Sequence, residues 1–293
     1  MINKIGLGSV QWGLPYGISN VDKNKVDFEE LSNILMYSKS MNLKLIDTAP
    51  TYGDVENILS KHNLNNFHII TKTPKLSREE IKKNDLKLLT YTLKKSLNLL
   101  NQKSFYGILV HNSLDLLLDG GRYISDALNK FKEQGLVKNI GVSIYNSENL
   151  DKICKILNPD IVQLPVNVID QRFIKDGSLK FLKNKNIEIH ARSIYLQGLL
   201  LMSSEKINSY FNPWKKFFDN WHQECNDQNF IPLEAALDFV IKIKEIDHCI
   251  LGIQNSKQLK ENISSLKKNK NFDASKLASS DENLVNPYNW RLS

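Results

Sequence analysis

The sequence is poor in cysteine, and the cysteines it has do not suggest a paired framework. Cys154, Cys225 and Cys249 are three in number, lie far apart and form no Cys-x-x-Cys pair. A disulfide scaffold or a zinc ribbon is therefore not expected, and reduced thiols fit a cytoplasmic protein. No stretch approaches the roughly 18–20 apolar residues of a membrane span, and the opening MINKIGLGSV lacks the apolar core of a signal peptide. We expect no membrane association.

The histidines lack the spacing of common metal sites. There is no His-x-His, no His-Glu-x-x-His and no carboxylate cluster, so the sequence predicts no metal. Net charge is +7, from 39 Lys and Arg against 32 Asp and Glu. The lysines are spread over most predicted helices without a dense run among aromatics. Nucleic-acid binding is therefore not expected, and the basic surface slightly favours a small molecule that carries phosphate.

Short apolar runs alternate along the chain with longer amphipathic ones. The short runs are rich in Ile, Leu and Val and apolar on both faces, which is typical of a parallel sheet covered on both sides. Eight runs fit this description: Lys4–Gly8, Leu43–Asp47, His68–Lys72, Tyr106–His111, Asn139–Ser143, Ile161–Gln163, Glu188–Arg192 and His248–Gly252.

Helical patterns with a 3.6-residue spacing lie between the strands. The clearest are the stripe from Phe28 to Leu35, the leucines from Leu86 to Leu100, and the runs Ile174–Leu182 and Leu259–Leu266. Ser256 and Asp54 are the expected N-caps of two helices. Eight strands, each followed by a helix, predict one (β/α)8 TIM barrel over residues 1–293, because such barrels take ~250 residues. A doubly wound open sheet is the alternative.

Two regions of the sequence lie outside the eight predicted strand–helix units. The stretch Ser203–Gln228 is long for a connection and rich in aromatic residues, so we expect a helical excursion packed on the barrel. After Leu266 we expect an extra C-terminal helical segment, followed by an extended stretch from Asn286 to Trp290.

Polar side chains end several of the predicted strands. In a TIM barrel the carboxyl ends of the strands carry the chemistry. Each residue alone has an ordinary explanation, such as a helix cap, a solvated lysine or a structural histidine. Their convergence on one rim is informative because charged groups are costly to desolvate. The strand-end residues are Asp47, Lys72, His111, Ser143, Gln163 and Arg192, and Tyr52 follows Asp47 by five residues.

These residues resemble the motifs of the aldo-keto reductase family. Asp47–Gly53 with Glu56 looks like the family signature, Ile69–Lys72 like the strand that ends in the catalytic lysine, and Leu109–Asn112 like the strand that ends in the catalytic histidine. The motifs occur in the family's order, and the resemblance runs from about residue 4 to the C-terminal tail. Further segments that match are Ile5–Ser9, Ile140–Ser143, Val162–Asn167, Ser193–Leu200 and Gly252–Asn262.

The resemblance implies an NAD(P)(H)-dependent oxidoreductase that interconverts a carbonyl and an alcohol. Tyr52 is then the general acid, and Lys72 lowers its pKa, since a free tyrosine with a pKa of roughly 10 is a poor acid. Asp47 pairs with Lys72, and His111 orients and donates to the carbonyl. Expected partners are a small carbonyl or alcohol substrate. Residues 6–20 resemble members linked to sugar metabolism, which suggests a sugar-like one.

The resemblance also implies an extended cofactor site, with NADP(H) expected and NAD(H) as the alternative. Ser143 and Gln163 would bind the nicotinamide amide, Ser193–Leu200 the pyrophosphate, and Glu261 with Asn262 the adenine. The expected cofactor contacts are Gly8, Ser9, Ser143, Gln163, Arg192, Ser193, Tyr195, Gln197, Gly198, Leu200, Gly252, Gln254, Gln258, Glu261 and Asn262. The expected substrate contacts are Trp12, Tyr16 and Asn112.

Several positions depart from the family pattern. Ile144 stands where Asn is usual, and Gly252 and Gln258 stand where basic residues often hold the 2′-phosphate. Lys257, Gln254 and Asn255 are the nearest replacements. Arg192 stands where an aromatic ring often stacks on the nicotinamide. It is expected to point into the barrel mouth and favour the reduced cofactor; the alternative is a structural pair with Glu188 or Asp170.

Two other functions fit the same residues. A Schiff-base aldolase would use Lys72 as its amine, with Asp47 and Tyr52 beside it. A non-catalytic, cofactor-sensing subunit would keep the fold without the reaction. The sequence does not indicate an oligomeric state or a preferred reaction direction.

Overall fold

The computed structural model closes eight parallel strands into a barrel in which each strand pairs with its sequence neighbours and β1 pairs with β8. It describes residues 1–20, 25–76, 79–266 and 271–292. The predicted TIM barrel is confirmed and the open sheet is wrong. The strands are β1 Ile5–Gly8, β2 Leu45–Asp47, β3 His68–Lys72, β4 Phe105–Val110, β5 Val137–Ser143, β6 Ile161–Pro165, β7 Glu188–Arg192 and β8 His248–Gly252.

Three of the predicted strands, β3, β7 and β8, have the observed bounds, and the others differ by one or two residues at an end. These differences in strand ends reflect the pairing between neighbouring strands. β4 begins at Phe105 because Phe105 pairs with Val137 on β5. It ends at Val110, so His111 lies just beyond the strand and its backbone N–H donates instead to Thr73 Oγ1.

The helices cover the outside of the barrel. They are α1 Val10–Gly13, α2 Phe28–Ser40, α3 Val55–Leu59, α4 Asp85–Leu99, α5 Arg122–Glu133, α6 Leu150–Leu157, α7 Arg172–Lys175, α8 Ser178–Asn184, α9 Lys215–Asp227, α10 Pro232–Ile241, α11 Ser256–Ser265 and α12 Glu282–Val285. α2 begins where the Asp27 side chain accepts a hydrogen bond from Glu30 N.

Two helix expectations need correction. The N-cap of α11 is Asn255, whose side chain accepts from Gln258 N, and Ser256 is the first helical residue. An amide oxygen caps as well as a hydroxyl does, so neighbouring Asn and Ser compete for the position. The predicted run Ile174–Leu182 is two short helices, because Gly177 adopts a φ of 81° between them.

The barrel interior combines small and branched residues. Leu45, Ile70, Leu109, Ile161 and Ile250 form one buried cluster. Glycines leave room for it: a Cβ on Gly6 would lie 2.7 Å from Ile250 Cδ1, and one on Gly141 would lie 2.2 Å from the Ile161 carbonyl oxygen. This packed centre separates the two ends of the barrel.

The excursion Ser203–Gln228 is helical, as expected. It contains 3-10 turns at Ser204–Lys206 and Ser209–Trp214, followed by α9. Trp221 is fully buried and its Nε1 donates to the Leu200 carbonyl at 3.0 Å. The excursion therefore packs directly on the segment that follows β7.

The C-terminal tail contains the expected helical segment but not the expected extended stretch. Residues 267–270, directly after Leu266, lie outside the described part. Beyond them the described tail forms one turn, α12, and a 3-10 turn at Pro287–Asn289 in place of an extended stretch. Side-chain caps from Asp281 and Asn286 nucleate these turns.

The excursion holds this tail in place. Tyr210 Oη donates to the Asn283 carbonyl at 3.0 Å, and Trp214 Nε1 donates to Asp281 Oδ2 at 3.0 Å. Arg172 adds an ion pair to Glu282. Through these contacts the tail is fixed near the carboxyl ends of the strands.

Within the described ranges, no helix is both long and apolar enough to cross a bilayer.

We predict that Trp221→Ala lowers the free energy of unfolding by about 3–5 kcal/mol, the usual cost of removing a fully buried large aromatic side chain. Tyr91→Ala, on an exposed face of α4 where the side chain is 65% exposed, is the matched control and should change stability little. Urea denaturation of both variants provides the measurement. Equal losses would show that the excursion is not packed as described.

Candidate active site

A cleft of about 390 Å³ opens at the carboxyl ends of the strands. Its floor contains Asp47, Tyr52, Lys72 and His111, and its walls come from the segment after β7, from α11 and from the tail. The structure therefore brings the four residues expected to be catalytic into one cavity.

Lys72 and Asp47 form a buried ion pair on this floor. Lys72 Nζ lies 2.6 Å from Asp47 Oδ2 and 3.2 Å from the Thr48 carbonyl, and the two side chains are 1% and 7% exposed. Gln163 Nε2 donates to Asp47 Oδ1 at 2.8 Å from across the barrel. Burial alone would lower the pKa of Lys72, but Asp47 and Tyr52 outweigh it and raise the pKa. Lys72 is thus held as an ammonium.

Tyr52 lies against this ammonium. Lys72 Nζ is 5.0 Å from the centre of the Tyr52 ring. The backbone turn that presents Tyr52 depends on Gly53, which adopts a φ of 61° and on which a Cβ would lie 2.5 Å from the Gly13 carbonyl oxygen.

The pKa of Tyr52 departs from the expected direction. Burial raises the pKa above 10, Lys72 opposes that shift, and Asp47 adds to it. Lys72 lowers the pKa as expected, yet desolvation is the larger effect in the protein alone. Tyr52 is therefore a protonated phenol at neutral pH, with an ammonium beside it that stabilises the phenolate.

His111 completes the floor as a neutral imidazole. Its ring meets the Tyr52 ring edge-on at 5.9 Å, and its Nδ1 lies 3.4 Å from Thr51 Oγ1. Burial, followed by the nearby Lys72, lowers the pKa of His111 to about 4. One N–H of a neutral ring can donate to an oxygen bound between His111 and Tyr52.

The segment after β7 forms a cradle beside this floor. Ser193, Leu196, Gln197 and Gly198 all have positive φ values between 46° and 90°. A Cβ on Gly198 would lie 1.9 Å from Ser19 Oγ. Backbone of this kind presents N–H groups to an anion, so the cradle can hold a pyrophosphate.

The cradle extends along the cleft wall to α11. Tyr195 is buried and its hydroxyl donates to Asn262 Oδ1. A Cβ on Gly252 would meet Gln11 Oε1 at 2.5 Å. Ser9 Oγ and Gln11 Oε1 are buried without a hydrogen-bond partner in the described part of the protein. This combination of close backbone approach and unpaired polar atoms suits an extended polar ligand such as a dinucleotide.

Most of the expected site residues line the cleft. They are Gly8, Ser9, Tyr16, Ser143, Gln163, Arg192, Ser193, Tyr195, Gln197, Gly198, Gly252, Gln254, Gln258, Glu261 and Asn262, together with the four floor residues.

Three expected contacts do not line it. Trp12 is fully buried, and its Nε1 donates to the Ile253 carbonyl at 2.8 Å. Asn112 turns away to cap the 3-10 turn Ser113–Leu117 and donates to Asp115. Leu200 is fully buried, and its backbone carbonyl accepts from Trp221 Nε1. In each case a structural contact occupies the side chain.

Other lining residues were missed by the sequence reading. Gln11 and Tyr145 follow the ends of β1 and β5 by only two or three positions, so reading a few residues past each strand would have found them. Tyr288 lies in the tail, where no neighbouring sequence pattern marks it as a residue of the cleft. Its ring meets Tyr145 edge-on at 4.7 Å. The remaining missed residues are Val10, Ser19, Leu201, Leu233 and Ile250, whereas Ile194 lies within the expected pyrophosphate segment Ser193–Leu200.

Arg192 lies in the cleft mouth, stacked on Tyr145 with its Cζ 3.9 Å from the ring centre. It donates to the Ile144 carbonyl at 3.0 Å and to Ser193 Oγ at 3.2 Å. Asp170 pairs with Arg172, and Glu188 contacts His190. The alternative of a structural pair between Arg192 and either carboxylate is therefore wrong.

The model of the Aldo/keto reductase family matches residues 4–284. The match covers nearly the whole chain, so the protein belongs to the aldo/keto reductase family. The chain matches none of the curated proteins.

Two solved structures that share the fold have low sequence identity to this chain. An aldo-keto reductase from Bacillus halodurans, in its holo form, is 16% identical with a TM-score of 0.72, and the match covers 94% of this chain and 89% of that one. A thermostable aldo-keto reductase in complex with the inhibitor epalrestat is 18% identical with a TM-score of 0.68, covering 94% and 93%. These likenesses support the barrel fold.

We predict that Lys72→Met raises the pKa of His111 from about 4 toward the ordinary value, because one cause of its depression is removed while Asp47 remains. The pH dependence of the His111 Cε1–H resonance reports the pKa. Lys138→Met, which alters the opposite end of the barrel, should leave it unchanged. An identical His111 pKa in Lys72→Met and the wild type would contradict the described electrostatics.

Proposed function

We propose that the protein is an NAD(P)(H)-dependent oxidoreductase that reduces a small carbonyl compound to an alcohol or catalyses the reverse. The observation that carries this proposal is the cleft floor, where a protonated Tyr52 lies between the Lys72 ammonium and a neutral His111. Membership of the aldo/keto reductase family supports the same reaction. The cytoplasmic location stays a prediction.

A bound nicotinamide would supply the hydride in reduction and accept it in oxidation. The chain's own groups manage the proton. Tyr52 Oη holds the proton that passes to the carbonyl oxygen as negative charge develops there. The Lys72 ammonium stabilises the phenolate that remains, and His111 donates a hydrogen bond that positions the oxygen.

The resting protonation states suit this role. Burial keeps the proton on Tyr52 until a partner oxygen becomes basic enough to take it. The ammonium then favours the charged product of the transfer more than the neutral reactant. Its interaction is thus stronger after proton transfer than before, which is the requirement for lowering a barrier.

The cofactor would lie along the cradle. We assign Ser143 and the Gln163 amide oxygen to the nicotinamide amide, since Gln163 Nε2 is already engaged with Asp47. Ser193 to Gly198 would hold the pyrophosphate, and Glu261 with Asn262 would contact the adenine. Gly8 and Gly252 allow the close approach that such an extended ligand needs.

Charge at the adenosine end is weak. The lysine and arginine side chains that line the cleft in the described residues are Lys72 and Arg192, both at strand ends. Lys257 is 86% exposed and lies 4.0 Å from Glu261. We therefore propose NADP(H) as the cofactor with only a narrow preference over NAD(H), below about tenfold, or 1.4 kcal/mol.

The cleft mouth favours a polar substrate. Three tyrosines that carry hydroxyl groups, Tyr16, Tyr145 and Tyr288, line it together with the guanidinium of Arg192. These groups can bind several oxygens of one small molecule, which agrees with the sugar-like substrate suggested by the sequence.

We predict that Gln258→Arg strengthens NADPH binding about tenfold and leaves NADH binding unchanged, because a charge-assisted contact to phosphate is stronger than a neutral one. Isothermal titration with each cofactor tests this. The companion variant Lys257→Gln should change neither affinity by more than about twofold, since an exposed flexible lysine contributes little. A large NADPH loss in Lys257→Gln would show that Lys257 binds the 2′-phosphate.

We predict that Tyr52→Phe lowers kcat by about 10²–10⁴-fold, the typical contribution of general acid catalysis, with NADPH affinity nearly unchanged. Steady-state rates over a panel of aldehydes, ketones and sugars, with fluorescence titration of NADPH, provide the test. Tyr288→Phe removes a hydroxyl from the same cleft at its mouth and should alter KM more than kcat. A near-wild-type kcat in Tyr52→Phe would rule out the assignment.

The aldolase alternative is disfavoured by the state of Lys72. Schiff-base formation needs a free amine, whereas Lys72 is held as an ammonium 2.6 Å from Asp47. Borohydride treatment with a carbonyl compound distinguishes the two, because only an aldolase leaves a covalent adduct. A cofactor-sensing subunit without turnover would show cofactor binding but no oxidation with any member of the carbonyl panel.

A further inference from the structure

The opposite end of the barrel contains a second cluster of ionisable residues that the proposed reaction does not use. Glu188 and His248 are the first residues of β7 and β8, and His190 lies two residues into β7. Their ligand-type atoms all lie within 4.8 Å of one another. Arg192 and Gly252, at the catalytic end, are the last residues of the same two strands.

The three side chains are already in contact. His190 Nε2 lies 2.6 Å from Glu188 Oε1, and His248 Nε2 lies 3.4 Å from the same oxygen. The two imidazole rings meet edge-on at 4.9 Å. His190 is fully buried, whereas Glu188 and His248 have side chains that are 23% and 25% exposed. The cluster thus has one buried anchor and an open side that solvent can reach.

We propose that Glu188, His190 and His248 bind a first-row divalent transition-metal ion of the zinc type at the amino end of the barrel. Two imidazoles and one carboxylate form a known zinc donor set, with water in the fourth position. Mg²⁺ and Ca²⁺ are excluded as the preferred ions because they favour oxygen ligands throughout.

The geometry is close to that of a tetrahedral site. Zinc bonds of ~2.0–2.2 Å to nitrogen and oxygen place the ligand atoms about 3.3–3.6 Å apart. Glu188 Oε1 lies 2.6 Å from His190 Nε2 and 3.4 Å from His248 Nε2, and all three ligand atoms lie within 4.8 Å of one another. Side-chain shifts on the order of an ångström therefore complete the site. His190 Nδ1 is buried without a hydrogen-bond partner in the described part of the chain, so rotation of its ring breaks no contact on that side.

Tyr106, which lies outside the cluster, already orients the Glu188 carboxylate. Tyr106 Oη donates to Glu188 Oε2 at 2.7 Å, which leaves Oε1 directed at the two histidines. Outer partners of this kind commonly fix the ligands of metal sites. The positive Lys138, 5.6 Å from the Tyr106 ring centre, opposes a cation, so we expect a site that binds in the micromolar range.

The ion would strengthen a short seam in the barrel. The register between β7 and β8 contains two pairs, His190↔His248 and Ala191↔Cys249, whereas that between β6 and β7 contains five. A metal that joins His190 to His248 cross-links the two strands at this seam. Binding should therefore stabilise the fold, independently of the proposed redox function.

The test uses full-length protein without a histidine tag, stripped with a chelator and then titrated with Zn²⁺ against a chromophoric competitor. We expect one ion per chain, a higher thermal unfolding midpoint, and a visible absorption spectrum of mixed nitrogen and oxygen ligation when Co²⁺ is used. Absence of saturable binding, or binding without any rise in the unfolding midpoint, would overturn the proposal.

Three variants locate the site. Tyr106→Phe, which removes an outer partner of the site, should weaken Zn²⁺ binding by about tenfold. His248→Asn, which removes a ligand at a partly exposed position, should weaken Zn²⁺ binding by more than the 10–100-fold typical of losing an outer partner. His68→Gln is the matched control, because His68 stacks on Tyr106 at the same end without joining the cluster. Retained affinity in His248→Asn, or an equal loss in His68→Gln, would contradict the assignment. Turnover by the carbonyl-reducing site should be unaffected in all three variants.

Discussion

The buried ion pair between Lys72 and Asp47 is the constraint on which the rest of the proposed active site depends. Lys72 is the last residue of β3 and Asp47 is the last residue of β2. An unpaired charge buried at either position would lower the stability of the fold by several kcal/mol. Removing one partner of a buried ion pair typically lowers stability by about 3–5 kcal/mol. Replacing both partners by apolar residues, in contrast, often leaves stability unchanged or raises it. The pair is therefore better explained by chemistry than by stability. Gln163 supports this view, because it donates to Asp47 from the far side of the barrel.

The ammonium acts on its two neighbours in different ways. It opposes the rise in the pKa of Tyr52 that burial causes, and it adds to the fall in the pKa of His111. Burial dominates in both cases, so the phenol and the imidazole rest uncharged beside the Lys72 ammonium. In the proposed reaction, an oxygen that gains negative charge between them would meet a proton donor, a hydrogen-bond donor and the cation at once. The desolvation that makes Tyr52 a weak acid at rest also strengthens these interactions during reaction.

The sequence alone predicts a residue of the cleft wherever the pattern that marks it lies within a few neighbouring residues. Strand ends are marked by the change from apolar to polar residues, which is why the sequence alone identifies Asp47, Lys72 and His111 as residues of the cleft. Side chains with a structural partner close by, such as Asn112, could not be separated from functional ones, because a cap and a substrate contact use the same amide. Tyr288 was missed for a different reason. Its position depends on the tail being held by the excursion, through contacts between residues far apart in sequence.

The histidine–glutamate cluster shows the same limit at the other end of the barrel. A motif search looks for ligands close together on one element, whereas here the ladder between β7 and β8 aligns His190 with His248. Side chains alternate along a strand, so Glu188, His190 and Arg192 all lie on one side of β7. At about 3.3 Å per residue, Glu188 and Arg192 are separated by roughly 13 Å, and the apolar cluster around Leu109 fills the centre between the two ends. Strand β7 therefore carries two of the three proposed metal ligands at its start and Arg192, a residue of the cleft, at its end, without their charges interacting strongly.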